Sequence, residues 1–488
     1  MPLLYFFMVP PEEKGTVMIY IDQEKEEPLY IQIYDQIRHD ILSGNLKENQ
    51  VLTGSRTLAK TLQISRNTVD NAYSQLCAEG YITPQKGIGY VVMPIPKILN
   101  KKSPVIQNKR PDDKILVKHI KYDLTNSSFT SDLFPKKLWK KFTPVCLDML
   151  DNESKLRPYQ DKNGSQYLRS HLLKYLHKIR GVSCTEDQII ITCGFQNALN
   201  IICELILQGN ATVLVEEPGF DKATSVFRNN GCNVKAMPID DQGLITSQLP
   251  CQNDIQAVYT TPSHQFPTGV TMPIGRRYEL LHWANEHNAY IIEDDFDSEL
   301  RYYARPVPSL QSVDLHDCVI YLGTFFKAIS PSIRKGYMIL PPKLKKTYDE
   351  KYQNYSSTVP LLNQLIIGKL LETEQYDRHV RKLNQIFRKR LELFYKELSD
   401  VQDKIKISSN GSGQYFLLKF SETVNQEELI ASAFNHGVQV YSTMNFWQEK
   451  ADCPPNTLFL GFSKIRLEDI PDCVKRLKSA WKTWLYQY

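Results

Sequence analysis

A chain of 488 residues is long enough for about two to four domains with full cores, and 42% hydrophobic with 23% charged residues excludes a largely disordered polypeptide. The 59 Lys+Arg against 54 Asp+Glu leave a net charge of +5, a weak pointer to an acidic partner, and no apolar run approaches the roughly 20 residues that span a bilayer. Ten scattered cysteines without a Cys-x-x-Cys pair exclude a zinc ribbon or dithiol motif and suggest a reducing, cytoplasmic setting with no metal site and no membrane partner.

Residues 1–17 carry no pattern; their apolar start lacks the basic flank of a signal peptide, and Met18 is a candidate translation start. Residues 18–93 read as one compact block. Tyr30, Ile33, Tyr34, Ile37 and Ile41 recur at helical spacing, and Ser43-Gly44-Asn45 ends that helix. A short helix is expected from Ser55, as its cap, to Leu62. After the turn Gln63-Ile64, Ser65 caps a third helix reaching about Glu79. Tyr81–Thr83 and Tyr90–Val92 flank 84–89 as a small hairpin.

On the third helix Val69, Ala72, Tyr73 and Leu76 share a face, leaving Arg66, Asn67, Asp70, Asn71, Ser74 and Gln75 on the other. A polar helix face is usually just solvated. Helix, helix-turn-helix and hairpin in this order instead suit a major groove, where Arg, Asn and Gln pair with base edges. The block itself carries seven basic and nine acidic residues. Residues 94–121 follow with four prolines and eight basic residues against Asp112 and Asp113. That stretch is either a solvated linker or a basic arm on nucleic-acid phosphates.

From about Tyr122 apolar strands (188–192, 212–216, 257–260, 289–293, 318–322 and 336–340) alternate with helical stretches. The fold class expected is α/β, a mostly parallel, seven-stranded sheet over 122–345, with a smaller α+β domain over 346–488. At strand ends stand Asp294, Lys327 and the segment Gly194-Phe195-Gln196-Asn197, where helix N–H groups form an anion site within reach of Arg334. Each has a plain structural explanation alone. Together they fit pyridoxal phosphate, which needs a lysine for its aldehyde, a carboxylate for its ring nitrogen and donors for its phosphate.

The strings Leu52–Ala59, Ile64–Val69 and Leu76–Ile82 resemble the winged helix of GntR-type regulators, although Thr53-Gly54 and Gln63 stand where Pro-Ser and Gly are common. The resemblance implies that Arg56, Arg66, Lys86 and Gly87 meet double-stranded operator DNA, and Asn67 and Thr68 beside Arg66 are further DNA-binding candidates. The strings Tyr159–Gly164, Glu217–Phe220, Thr261–Gly269, Glu293–Phe296 and Gly323–Lys327 resemble fold-type I aminotransferases. A winged helix, a linker and such a domain together resemble the MocR/GabR regulators.

That resemblance implies an internal aldimine on Lys327, Asp294 at the pyridinium nitrogen and Phe220 on the ring. Phe195, Gln196, Thr324 and Arg334 would hold the phosphate, with Phe296 and His264 beside the cofactor. Relatives that sense γ-aminobutyrate carry arginine where Lys222 and Lys464 stand, so these two become the effector-binding candidates. Tyrosine is usual at Phe296 and serine at Phe326, and the γ-aminobutyrate-sensing relatives carry tyrosine at Phe220. These substitutions argue against efficient transamination, because lysine lacks the planar grip of arginine and Phe296 lacks a hydroxyl. The expectation is a regulator that senses an amino compound or pyridoxal phosphate itself; the alternative is a working aminotransferase with an accessory DNA-binding domain. The resemblance also implies a homodimer, with domain swapping permitted by a 28-residue linker.

Overall fold

The computed structural model describes residues 19–22, 25, 27–95, 120–125, 131–156, 160–207, 211–251, 254–303, 307–409, 411–421 and 424–486. The extension 1–17, Met18, most of the linker (96–119) and Tyr159 lie outside the described residues. The chain divides into two compact units, Met1–Pro111 and Asp112–Tyr488.

The first unit contains α1 (Leu29–Ser43), α2 (Ser55–Thr61), α3 (Arg66–Ala78) and the antiparallel pair β1 (Ile82–Gln85) and β2 (Gly89–Val92). Its core joins Ile33, Ile37 and Ile41 to Leu58, Val69, Ala72, Tyr73 and Leu76, closed by Ile82 and Val92; of the expected face of α1, Tyr30 is exposed instead and Tyr34 only half-buried. Tyr73 places its hydroxyl on Thr53 O at 2.7 Å, tying α3 to the entry of α2. Ser65 caps α3, its Oγ accepting from Thr68 N. Ser55 does not cap α2: Gly54 holds the cap position without a side-chain cap bond, and Ser55 is the first helical residue. Gln63 sits in the left-handed region at φ 56°, which explains why glycine suits that turn better. The hairpin strands extend further than expected, leaving only residues 86–88 as the tip.

The second unit opens with β3 (Tyr122–Asp123), α4 (Lys136–Leu156) and α5 (Gln166–Arg180). Then follow β4 (Ile189–Thr192), α6 (Phe195–Ile206), β5 (Thr212–Glu217), α7 (Asp221–Asn229), β6 (Asn233–Asp240), β7 (Gly243–Leu244), β8 (Ile255–Thr260), α8 (Ile274–Glu286), β9 (Tyr290–Asp295), β10 (Val319–Thr324) and β11 (Gly336–Ile339). The sheet order is β4-β11-β10-β9-β8-β5-β6-β7. The strands from β10 to β6 pair in parallel; β11 and the two-residue β7 run against their neighbours. The sheet thus has eight strands rather than seven, because β7 adds a short edge. Helix α9 (Pro342–Lys351) leads to α10 (Leu361–Glu372) and α11 (Gln375–Glu397). A four-stranded sheet follows, built from β12 (Lys406–Ser408), β13 (Tyr415–Lys419), β15 (Tyr441–Ser442) and β16 (Thr457–Gly461). Between its strands lie α12 (Gln426–Asn435) and β14 (Val438–Gln439), which pairs with β3; α13 (Ile470–Ala480) and α14 (Lys482–Leu485) end the described chain. One core runs from Leu124 and Leu168 through Phe387 and Phe416 to Trp481, and α10 of the C-terminal third packs directly on α4 and α5. No helix of the described residues is long and apolar enough to cross a membrane.

Candidate functional site

In the first unit α3 turns Arg66, Asn67, Asn71, Ser74 and Gln75 outward, and Arg56 on α2 is exposed too. Arg66 Nε lies 3.2 Å from Asp70 Oδ2 with both side chains well exposed, a pair that holds little energy and releases the guanidinium easily. Thr68 is half-buried and its hydroxyl lies 2.8 Å from Ser65 Oγ, so it belongs to the helix cap as much as to the outer face. Lys86 and Gly87 are exposed at the hairpin tip.

In the second unit the site candidates collect at the carboxyl ends of β4, β5, β8, β9 and β10. The acidic run at the end of β9 is sorted by strand alternation. Glu293 accepts from the Leu310 and Gln311 amides at 2.7 and 2.9 Å, and Asp295 takes Arg180 Nε at 2.7 Å together with the Tyr321 hydroxyl. Asp294 points the other way, where Tyr259 OH donates to its Oδ2 at 2.5 Å, and burial pushes its carboxyl up to about 7. Register pairs Asp294 with Leu322 on β10, five residues before Lys327.

Lys327 is only 9% exposed. Burial pulls its ammonium down to about 8; the Asp297 and Asp294 charges oppose that shift and the Lys222 charge adds to it. Its Nζ lies 5.9 Å from the Phe296 ring centre and 5.2 Å from that of Phe326. Gln414 Nε2 donates to the Lys327 carbonyl at 3.3 Å. His264 does not stand free beside this lysine: its Nδ1 lies 2.8 and 2.9 Å from the two Asp297 oxygens, and its ring stacks on Phe296 and Tyr415.

Gly194 opens α6 at φ 82°, a conformation that suits glycine, and leaves the first N–H groups of the helix without intrahelical partners. An added Cβ there would lie 3.8 Å from Arg334 backbone atoms, so the start of α6 and the Arg334 backbone adjoin. Phe195 is half-buried, Gln196 and Arg334 are exposed. Thr324 Oγ1 donates to Lys335 O at 3.2 Å and accepts from Phe326 N at 3.0 Å, so its hydroxyl also serves the turn that carries Lys327. Phe220 immediately precedes α7, half-buried, 5.4 Å from the Phe195 ring.

These residues fit pyridoxal phosphate by the chemistry of their donors: a buried lysine with a lowered proton affinity, a buried carboxylate, an aromatic face and a helix N-terminus. The two effector candidates differ. Lys222 is exposed and its charge is felt at Lys327, whereas Lys464 Nζ is paired with Asp123 Oδ2 at 2.8 Å. Sequence reasoning missed Tyr259 and Asp297, and it missed the rings of Tyr415, Phe446 and Phe459 that join Phe266. Asp297, three residues after Asp294, was the one with a local signal.

Two family descriptions match the chain: bacterial regulatory proteins of the gntR family over residues 29–92, and aminotransferase class I and II over residues 127–449. The chain is 34% identical over 478 residues to the uncharacterized HTH-type transcriptional regulator YdeL of Bacillus subtilis, covering 95% of this chain and 99% of that protein. It is 27% identical to the probable rhizopine catabolism regulatory protein MocR of Rhizobium meliloti, over 95% of this chain and 96% of the relative. The crystal structure of Pyrococcus horikoshii kynurenine aminotransferase is similar to 76% of this chain and 93% of its own, with TM-score 0.68 and 25% identity.

Proposed function

The chain belongs to the MocR-type family of transcription regulators, which join a gntR-family DNA-binding domain to an aminotransferase class I and II domain, and on that premise we propose a homodimeric regulator that holds pyridoxal phosphate at Lys327 and answers to an amine or to the cofactor itself. The domain limits that accompany this reading are a DNA reader at 18–93, a linker at 94–121, a cofactor domain at 122–345 and a small domain at 346–488. The observation that carries it is the meeting of buried Lys327, Asp294 and the rings around Phe296 at strand ends that also present the N-terminus of α6.

With pyridoxal phosphate bound, the site gains an aldehyde carbon that captures primary amines reversibly. The chain's own residues prepare for that. Burial keeps part of the Lys327 amine unprotonated near neutral pH, so its lone pair is available. Asp294, with Tyr259 donating to it, offers a carboxylate to a ring nitrogen. Phe220 offers a face for stacking, and Phe195, Gln196, Thr324 and Arg334 surround the place for a phosphate. Phe296 brings no hydroxyl to a phenolic oxygen, and Lys222 offers one charge without a second prong, both of which favour sensing over turnover.

Captured ligand changes DNA binding only if it favours one arrangement of the dimer over another. The test is DNA affinity of the full chain, loaded and stripped of cofactor, on an operator selected from random duplexes. Affinity is expected to differ several-fold between the two forms, with Lys327→Ala fixed at the stripped value. Equal affinities for all three proteins would remove the coupling.

A further inference from the structure

The rings beside Lys327 form a wall that cofactor retention alone does not require. Phe266 stands at its centre, 5.3 Å from Phe220, 6.2 Å from Phe296, 5.5 Å from Tyr415, 4.8 Å from Phe446 and 5.8 Å from Phe459. Phe266, Tyr415 and Phe459 are buried, while Phe220, Phe296 and Phe446 are half-buried. Phe446 reaches the wall from the segment after β15 and is fixed there: Gly219 N donates to its carbonyl at 2.9 Å, and Glu217 accepts from the Gln448 and Glu449 amides. The wall is therefore anchored to the segment that carries Phe220.

Charge is sparse on the same side. Among the described residues, Lys222 is the cation whose charge acts on Lys327. Lys464 is neutralised by Asp123, which also accepts from Tyr441 OH at 2.7 Å. Asp297 is turned to His264. An entering acid would meet the single-pronged Lys222, whereas an apolar body would meet the half-buried Phe220, Phe296 and Phe446.

Building on the reading of Lys327 as the cofactor lysine, we infer that the ligand class of this site is a primary amine on an apolar, preferably aromatic body, with at most one carboxylate, rather than a short ω-amino acid. Water-exposed ring surface on both partners is removed when such a body docks, and that gain is denied to a ligand made of methylenes capped by a second charge.

The test titrates the full-length, cofactor-loaded protein with 2-phenylethylamine, L-phenylalanine, γ-aminobutyrate and taurine. It follows the visible absorption and, independently, the thermal unfolding midpoint. Phenylethylamine is expected to half-saturate at a concentration roughly tenfold or more below γ-aminobutyrate. Phe446→Ala should weaken phenylethylamine about tenfold and γ-aminobutyrate under about threefold, and Phe446→Leu should restore part of the loss. γ-Aminobutyrate or taurine binding as tightly as phenylethylamine, or Phe446→Ala and Phe446→Leu shifting every probe alike, would overturn the inference. A protein that shows a visible band but no preference defeats this inference alone. One that shows no band after cofactor is added defeats the cofactor reading and the inference with it.

Discussion

The two units of this chain store function in opposite ways. In the first, the residues suited to meet DNA lie on the outside of α2, α3 and the hairpin tip, and the core of Ile33, Val69, Tyr73 and Leu76 does not include them. In the second, Asp294 and Lys327 are inside, and each is held where its charged form is disfavoured. A surface site costs its fold almost nothing, while a buried ionisable site is assembled against stability and is compensated only by its ligand. The contrast predicts that removing function should leave stability alone in the first unit and raise it in the second.

The largest effect should come from Asp294→Asn. With its carboxyl raised to about 7 from an ordinary 3.8, the folded protein binds more protons than the unfolded chain across that interval, so this group lowers stability as pH rises through it. At pH 8 the cofactor-free variant should gain at most about 4 kcal/mol, a gain that vanishes near pH 4, while losing cofactor retention. Equal melting of variant and parent at pH 8 would break the comparison. Gly413→Ala comes next. Its φ is +74°, and a Cβ would fall 2.5 Å from His264 Cε1 and 2.9 Å from Asp297 Oδ2, so about 3 kcal/mol of stability should be lost.

In the first unit Arg66→Ala should cost about 1–3 kcal/mol of discrimination between operator and random duplex and leave melting unchanged. Equal losses on both duplexes would deny it a base-reading role. Gln63→Gly should raise the melting free energy of this unit by about 0.5–1 kcal/mol by relieving the left-handed turn. Lys86→Ala should be the mildest change, lowering the salt slope of DNA binding by about 1 without altering sequence choice.

What could be read from the sequence follows the same division. The helices of the first unit were legible because caps, turns and helical spacing are local, and every residue placed on the inner face of α3 is buried. Ser55 misled because a serine before an apolar run suits either the cap or the first helical position, and Gly54 took the cap. The alternation of strands and helices was visible from buried runs such as Ile189–Thr192. Strand β6 was not, because Asn233–Asp240 buries Met237 alone and carries lysine and proline on its open faces. Lys327 and Asp294 were legible through short strings around them. The His264–Asp297 pair and the aromatic wall were not, since they join residues from 220 to 459 that only the folded sheet brings together. Lys464 was legible as a residue, but its partner Asp123 lies 341 residues away.

The central claim is that Lys327 is the attachment point of a cofactor on which regulation depends. The most direct measurement is the visible absorption of the purified full-length protein beside Lys327→Ala, both incubated with pyridoxal phosphate and then freed of excess. The account predicts a retained band in the parent protein and none in Lys327→Ala. A band kept by Lys327→Ala, or absent from both, would contradict it.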